Sequence, residues 1–136
     1  MDRALIKLVW KRARSLCEYC QMPQYFDSFT HEIDHAIAKK HGGLTVAGNL
    51  VLACFPCNNR KGPNIAGIDP DTKKLTSLFN PRRHQWSRHF RWRGPQLIGK
   101  TAIGRVTTAV EINAPERVLI RQTLIEEGVF PPKEPG

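Results

Sequence analysis

The hydrophobic positions change their period several times along the chain, and each change marks an element. In "RALIKLVWKRARS", residues 3–15, Leu5, Leu8 and Val9 recur at helical spacing against Lys7, Lys11 and Arg12, which predicts an amphipathic helix with a basic face. "SFTHEID" (28–34) and "NLVLACF" (49–55) are rich in β-branched or apolar residues between turn formers, so both are expected to be short strands. A helix is expected again from Cys57 to about Lys61. "GIDPDTKKLTSLF" sets the turn signal Asp69-Pro70-Asp71 before a strand-like run, which predicts a hairpin. "PRRHQWSRHF" reads as a helix opened by Pro81. "TAIGRVTTAVEIN" and "PERVLIRQTLIEEG" read as two more, the second starting at Pro115 and ending at Gly128. The final "PPKEPG", residues 131–136, reads as a flexible tail. The expected class is α+β.

Length and charge narrow the setting. With 136 residues the chain has the size of one domain with one modest core. The longest strictly apolar run, "LVLACF" at 50–55, falls far short of a membrane span, and the opening "MDRALIKLVWKRAR" is too charged for a signal peptide, so a soluble cytoplasmic protein is expected. A formal net charge of +9, from 21 Lys and Arg against 12 Asp and Glu, points to a polyanionic partner. Nothing in the sequence sets an oligomeric state.

The four cysteines change the picture more. Cys17 and Cys20 in "CEYC" and Cys54 and Cys57 in "CFPC" form two identically spaced pairs 33 residues apart. Two thiolates three positions apart grip one ion from a tight turn, and two such turns complete the tetrahedral sulfur cage that Zn²⁺ prefers. Four thiolates leave no open coordination position, so one structural zinc per chain is expected, its binding energy supporting a small core. Two disulfides or a redox C-x2-C are the competing readings. An intracellular setting disfavours the first and the duplication disfavours the second.

Between the pairs stands "THEIDHAIAKKHGG", residues 30–43, followed by "GNLVLACFPCNNRKG". In that order, over roughly residues 12–66, the chain resembles the HNH endonuclease family. The resemblance implies a ββα-metal (His-Me finger) core braced by the four-cysteine zinc, with an N-terminal helix and a helical C-terminal extension over 67–130. It also implies metal-dependent hydrolysis of phosphodiester bonds in DNA, contacted mainly through its phosphates.

The chemistry of the residues agrees with that expectation. Phosphodiester hydrolysis needs a base for water and a cation for the charge on phosphate and leaving oxygen. His35 is the natural base, since an imidazole is mostly neutral at cellular pH. Asp34 offers a hard anionic oxygen suited to Mg²⁺ or Mn²⁺, and by resemblance it ligates the catalytic cation. Asn49 corresponds to the family's middle asparagine, expected to pin the loop bearing His35. Its alternative is a turn cap before a strand. Where many members place a second histidine after the last knuckle cysteine, this chain has Asn58, nine positions after Asn49, making an HNN variant. An amide oxygen there favours Mg²⁺ or Mn²⁺ over Ni²⁺ or Zn²⁺. Asn59 competes for that role, and either asparagine is also a plausible helix cap.

Lys61 is expected to reach the phosphate from a first helical turn, where free N–H groups favour an anion. Lys40, His41, Arg60, Arg82 and Arg83 are further expected phosphate contacts. Glu32 shares a strand face with Asp34 by alternation and is a second possible metal ligand. His31 and His41 read as solvated. In "PRRHQWSRHFRWR", Trp86 and Phe90 lie four apart and are expected to pack into the core, leaving the arginines outside. The rival function is a non-catalytic zinc module that only binds nucleic acid.

Overall fold

The computed structural model describes residues 1–110 and 112–133. Helix α1 (Arg3–Arg12) starts at Asp2, whose carboxylate caps Ala4 N–H at 2.7 Å. It stops three residues earlier than expected. Arg14 and Ser15 take positive φ (57° and 56°), which turns the chain into the first cysteine knuckle. Val9 is fully buried, but Leu8 of the expected apolar stripe is 43% exposed, and Trp10 packs against the core instead.

Strand β1 (Glu32–His35) pairs antiparallel with β2 (Leu50–Ala53), with Glu32 opposite Ala53 and His35 opposite Leu50. Every residue of β2 is buried, and its period of two divides the molecule. Leu50 and Leu52 face α1 with Val9 and Ala13, while Val51 and Ala53 face the four cysteines and the aromatic core. Helix α2 (Phe55–Lys61) follows directly, with Pro56 in its first turn, and completes a ββα unit. β1 begins later than the sequence pattern suggests, because residues 24–31 form a turn of their own held by side-chain hydrogen bonds.

The extension joins its expected C-terminal helices to two short hairpins. The expected hairpin is present as β3 (Ala66–Ile68) and β4 (Leu75–Ser77). Its turn is held by the fully buried Asp69, which accepts Arg105 Nε and Nη2 at 2.9 Å each. That guanidinium holds the Asp69 carboxyl well below the usual carboxylate range. The helix expected over 81–90 shrinks to one turn, α3 (Trp86–His89), and the chain then forms a second hairpin, β5 (Phe90–Arg93) with β6 (Gln96–Gly99). The Trp86 and Phe90 rings still pack, 5.3 Å apart, with Phe90 buried from a strand. Helix α4 (Ala102–Thr108) is shorter than the run 101–113, whereas α5 (Pro115–Glu126) fits its expected limits, with Gly128 at φ +76° just beyond.

Arg121 of α5 is fully buried. Its guanidinium donates to Pro95 O, Asn113 Oδ1 and Ile112 O at 3.1, 2.9 and 2.6 Å and lies over the Trp92 ring, which fastens α5 to the second hairpin. Of the expected tail, Arg14 donates to Lys133 O at 3.0 Å, and residues 134–136 lie outside the described residues. No described helix is long and apolar enough to cross a membrane.

Candidate nuclease site and zinc centre

The two cysteine turns converge as their spacing requires. The sulfurs of Cys17, Cys20, Cys54 and Cys57 all lie within 4.8 Å of one another, and Cys20 Sγ and Cys54 Sγ are 3.7 Å apart. A tetrahedron with Zn–S bonds of about 2.3 Å has S–S edges of about 3.8 Å, so the cage fits zinc. Backbone geometry supports it: Cys20 N–H points at Cys17 Sγ (3.5 Å), and Gln21 takes φ 64° to close the turn.

The thiols are unsuited to one another without a cation. Hydrogen bonds from Cys17, Cys54 and Cys57 draw Cys20 well below an ordinary thiol, while contact with Cys17 and Cys20 pushes Cys54 and Cys57 up. A dication is what lets four clustered thiols ionise together.

The basic and aromatic segment of the extension clasps the first knuckle. Arg82 pairs with Glu18 at 2.7 Å, Trp86 Nε1 donates to Tyr19 O at 2.8 Å, and Trp92 Nε1 donates to Gln21 Oε1 at 3.0 Å. Arg82 is therefore engaged within the protein, and Arg83 remains on the surface.

Next to this brace, α2 lies alongside β1 in a regular ladder. Phe29 meets Phe55, Glu32 Oε2 accepts from Asn58 Nδ2, and Lys61 Nζ sits 3.4 Å from Asp34 Oδ2, at sequence offsets of 26, 26 and 27 residues. Strand alternation puts Glu32 and Asp34 on this side together, and helical spacing puts Asn58 and Lys61 opposite them. Asn59 is exposed and takes no part in the ladder. Lys61 corrects the sequence reading. It is the last residue of α2, not in its first turn, so no free N–H groups surround it, and it is only 5% exposed. Arg60 pairs with Glu116 at 2.7 Å. Lys40 and His41 stand exposed on the loop after β1.

His35 ends β1 and turns to the loop, where its Nε2 lies 2.8 Å from Thr45 Oγ1. Thr45 was not singled out from sequence. Its only signal is a hydroxyl ten positions on, and loop closure alone brings the two together. Asn49 makes that closure: its Oδ1 accepts Ile37 N–H at 2.9 Å, and its Nδ2 donates to Ile37 O and Leu44 O at 3.0 Å each. Gly43 is required by the same packing, since a Cβ there would fall 1.7 Å from Ile37 O. His31 departs from expectation. It is buried, stacked on Trp10, with Nε2 2.8 Å from Met22 O, and is part of the scaffold.

Asn49→Ala removes three hydrogen bonds worth about 1 kcal/mol each. It is expected to lower stability by about 2–3 kcal/mol in denaturant titration and to abolish the ordered His35 loop. Unchanged hydrogen exchange at the amides of 36–45 in this variant would count against the pinning role.

Residues 17–64 match the family model for HNH endonucleases. No curated protein and no solved structure matches the chain. The match includes both cysteine pairs, β1, the pinned loop, β2 and α2.

Proposed function

We propose that this HNH domain is an active, metal-dependent endonuclease that hydrolyses phosphodiester bonds in DNA, with His35 as general base. The observation that carries the reading is the His35–Thr45 contact on a loop locked by Asn49, beside the acidic ladder of β1 and α2. With its proton on Nε2 and donated to Thr45, the imidazole keeps the Nδ1 lone pair for a water molecule. The attacking water loses its proton to Nδ1 as its oxygen bonds to phosphorus and the P–O3′ bond breaks, the leaving 3′-oxygen taking a proton from solvent.

One Mg²⁺ or Mn²⁺ held by Asp34 and Asn58, with Glu32 alongside, would supply positive charge at the phosphate and leaving oxygen. The donors fit such an ion: carboxylate and amide oxygens are hard, and Mg²⁺ uses one or two carboxylates and keeps several waters. Among the described residues the four cysteines are the one group of three or more His, Cys, Asp or Glu placed to hold a metal. Lys61 pairs with Asp34 at 3.4 Å, and it would be freed to face a phosphate only when Asp34 holds the ion. Lys40, His41 and Arg83 are exposed, and in this reading they contact flanking phosphates, positioning DNA without reading its sequence.

The Asp34–Lys61 pair also favours a second reading, a non-catalytic zinc-stabilised nucleic-acid-binding module, because it satisfies the carboxylate with no metal. Nicking of supercoiled plasmid separates the two. Cutting is expected with Mg²⁺ or Mn²⁺ and to stop in EDTA under conditions that leave the zinc in place. Asn58→Ala raises the Mg²⁺ concentration needed, and Asn58→His shifts the preference toward Ni²⁺ or Co²⁺, since imidazole suits borderline ions. DNA binding with no cutting under any of these metals selects the binding module. Normal cutting by Asn58→Ala beside a failing Asn59→Ala moves the ligand to Asn59.

A further inference from the structure

One rung of the β1–α2 ladder does nothing for the chemistry just described. Phe29 and Phe55 place their ring centroids 5.4 Å apart at a tilt of 36°, yet remain 57% and 43% exposed. Packing for stability would have buried them. Instead the rings continue the line Asp34–Lys61, Glu32–Asn58 outward by one step, at the end of the site away from His35.

The segment that presents Phe29 is built to hold it there. Gln24 Nε2 donates to Phe29 O at 3.0 Å, Asp27 Oδ1 accepts Phe29 N–H at 3.1 Å, and Gln24 Oε1 accepts His31 N–H at 2.6 Å. Asp27 is in turn anchored by Arg117 at 3.1 Å. Both backbone polar groups of Phe29 are thus satisfied by side chains of its own turn, so the ring stands in water on a fixed backbone. Phe55 is fixed by being the first residue of α2, one turn before Asn58. An aromatic face held rigid in solvent beside a phosphate-handling site on a chain of net charge +9 suits one occupant, a nucleobase whose sugar-phosphate is already drawn to that site.

We propose that Phe29 and Phe55 form a stacking platform for an unpaired base next to the scissile phosphate, so that this site prefers single-stranded, frayed or flapped DNA over blunt duplex. In duplex the bases are stacked on one another and offer no free face, so only an unpaired base gains from the platform. The preference rests on the nuclease reading for its location, but the binding step is separable from cleavage.

The test therefore uses full-length zinc-loaded protein carrying His35→Ala, so that the oligonucleotides stay intact. Binding is measured for a twelve-nucleotide single strand containing 2-aminopurine and for a blunt duplex of the same sequence. The single strand is expected to show quenched 2-aminopurine fluorescence on binding. Adding Phe29→Ala and Phe55→Ala is expected to weaken single-strand binding at least tenfold, within the range stacking supplies per base. Duplex affinity, zinc content and melting temperature are expected to stay unchanged. Phe55→Trp is expected to retain tight single-strand binding.

Equal loss on both substrates, or no loss on the single strand, overturns the platform while leaving the nuclease reading intact. A dimer in sedimentation that the double variant dissociates also overturns it, by making the patch a contact between copies. Failure of the parent to bind either oligonucleotide overturns the nucleic-acid reading itself.

Discussion

Purified protein is expected to contain about one zinc per chain, and Cys17→Ser or Cys54→Ser is expected to unfold it. Structural zinc sites contribute about 10–16 kcal/mol of apparent binding energy, whereas a whole domain is stable by only about 5–15 kcal/mol, so loss of the ion outweighs everything else that holds the chain. The consequence spreads because both parts of the molecule depend on the knuckles. Glu18 N–H donates to Leu52 O at 2.8 Å, tying the first knuckle to β2, and Arg82, Trp86 and Trp92 tie it to the extension. Circular dichroism and zinc analysis across a titration with a zinc-selective chelator should show metal loss and unfolding as one transition. A metal-free protein that keeps its tertiary signals would sink the structural assignment.

His35→Ala is expected to lower plasmid nicking by two to four orders of magnitude, the usual contribution of a general base and about 3–5 kcal/mol of transition-state stabilisation. Zinc content, melting temperature and DNA affinity should not move, because the His35 ring lies outside both hydrophobic cores and far in role from the cysteines. Thr45→Val should give a smaller loss, since it removes the hydroxyl partner that orients the ring while leaving the base in place. If His35→Ala cuts at the parental rate, the base is His41. His31 is no alternative, buried as it is beneath Trp10 with its Nε2 at Met22 O.

What could be read from the chain, and what could not, follows a physical division. Features set by covalent spacing were legible. Two C-x2-C turns carry their own local geometry, so a four-sulfur cage follows from sequence, and the structure assembles it within 4.8 Å. The strand after Asn49, set by the apolar "NLVLAC" run, and the Pro115 helix start are likewise local preferences that packing reinforces. The extension was misread where two local signals conflict. Trp86 and Phe90 keep helical spacing, but "FRWRGPQLIG" also alternates around a Gly-Pro turn, and the tryptophan N–H groups find partners on the first knuckle only if the chain leaves the helix for a hairpin.

The sequence by itself determined the α+β class, the four-cysteine cluster and the residue types available for phosphodiester chemistry, because ligand spacing and side-chain chemistry do not depend on distant contacts. Tertiary structure alone decided which of those residues meet. It set Thr45 against His35, Asn58 against Glu32, Lys61 against Asp34 and Phe29 against Phe55. It also withdrew Arg82 to Glu18 and His31 into the scaffold. Each of these pairings closes a loop of ten or more residues or crosses between elements, His31 through its stacking on Trp10 of α1. Such long-range contacts are selected by how β2 divides the core and how the four-cysteine cluster fixes α2 beside β1, neither of which any short window of sequence encodes.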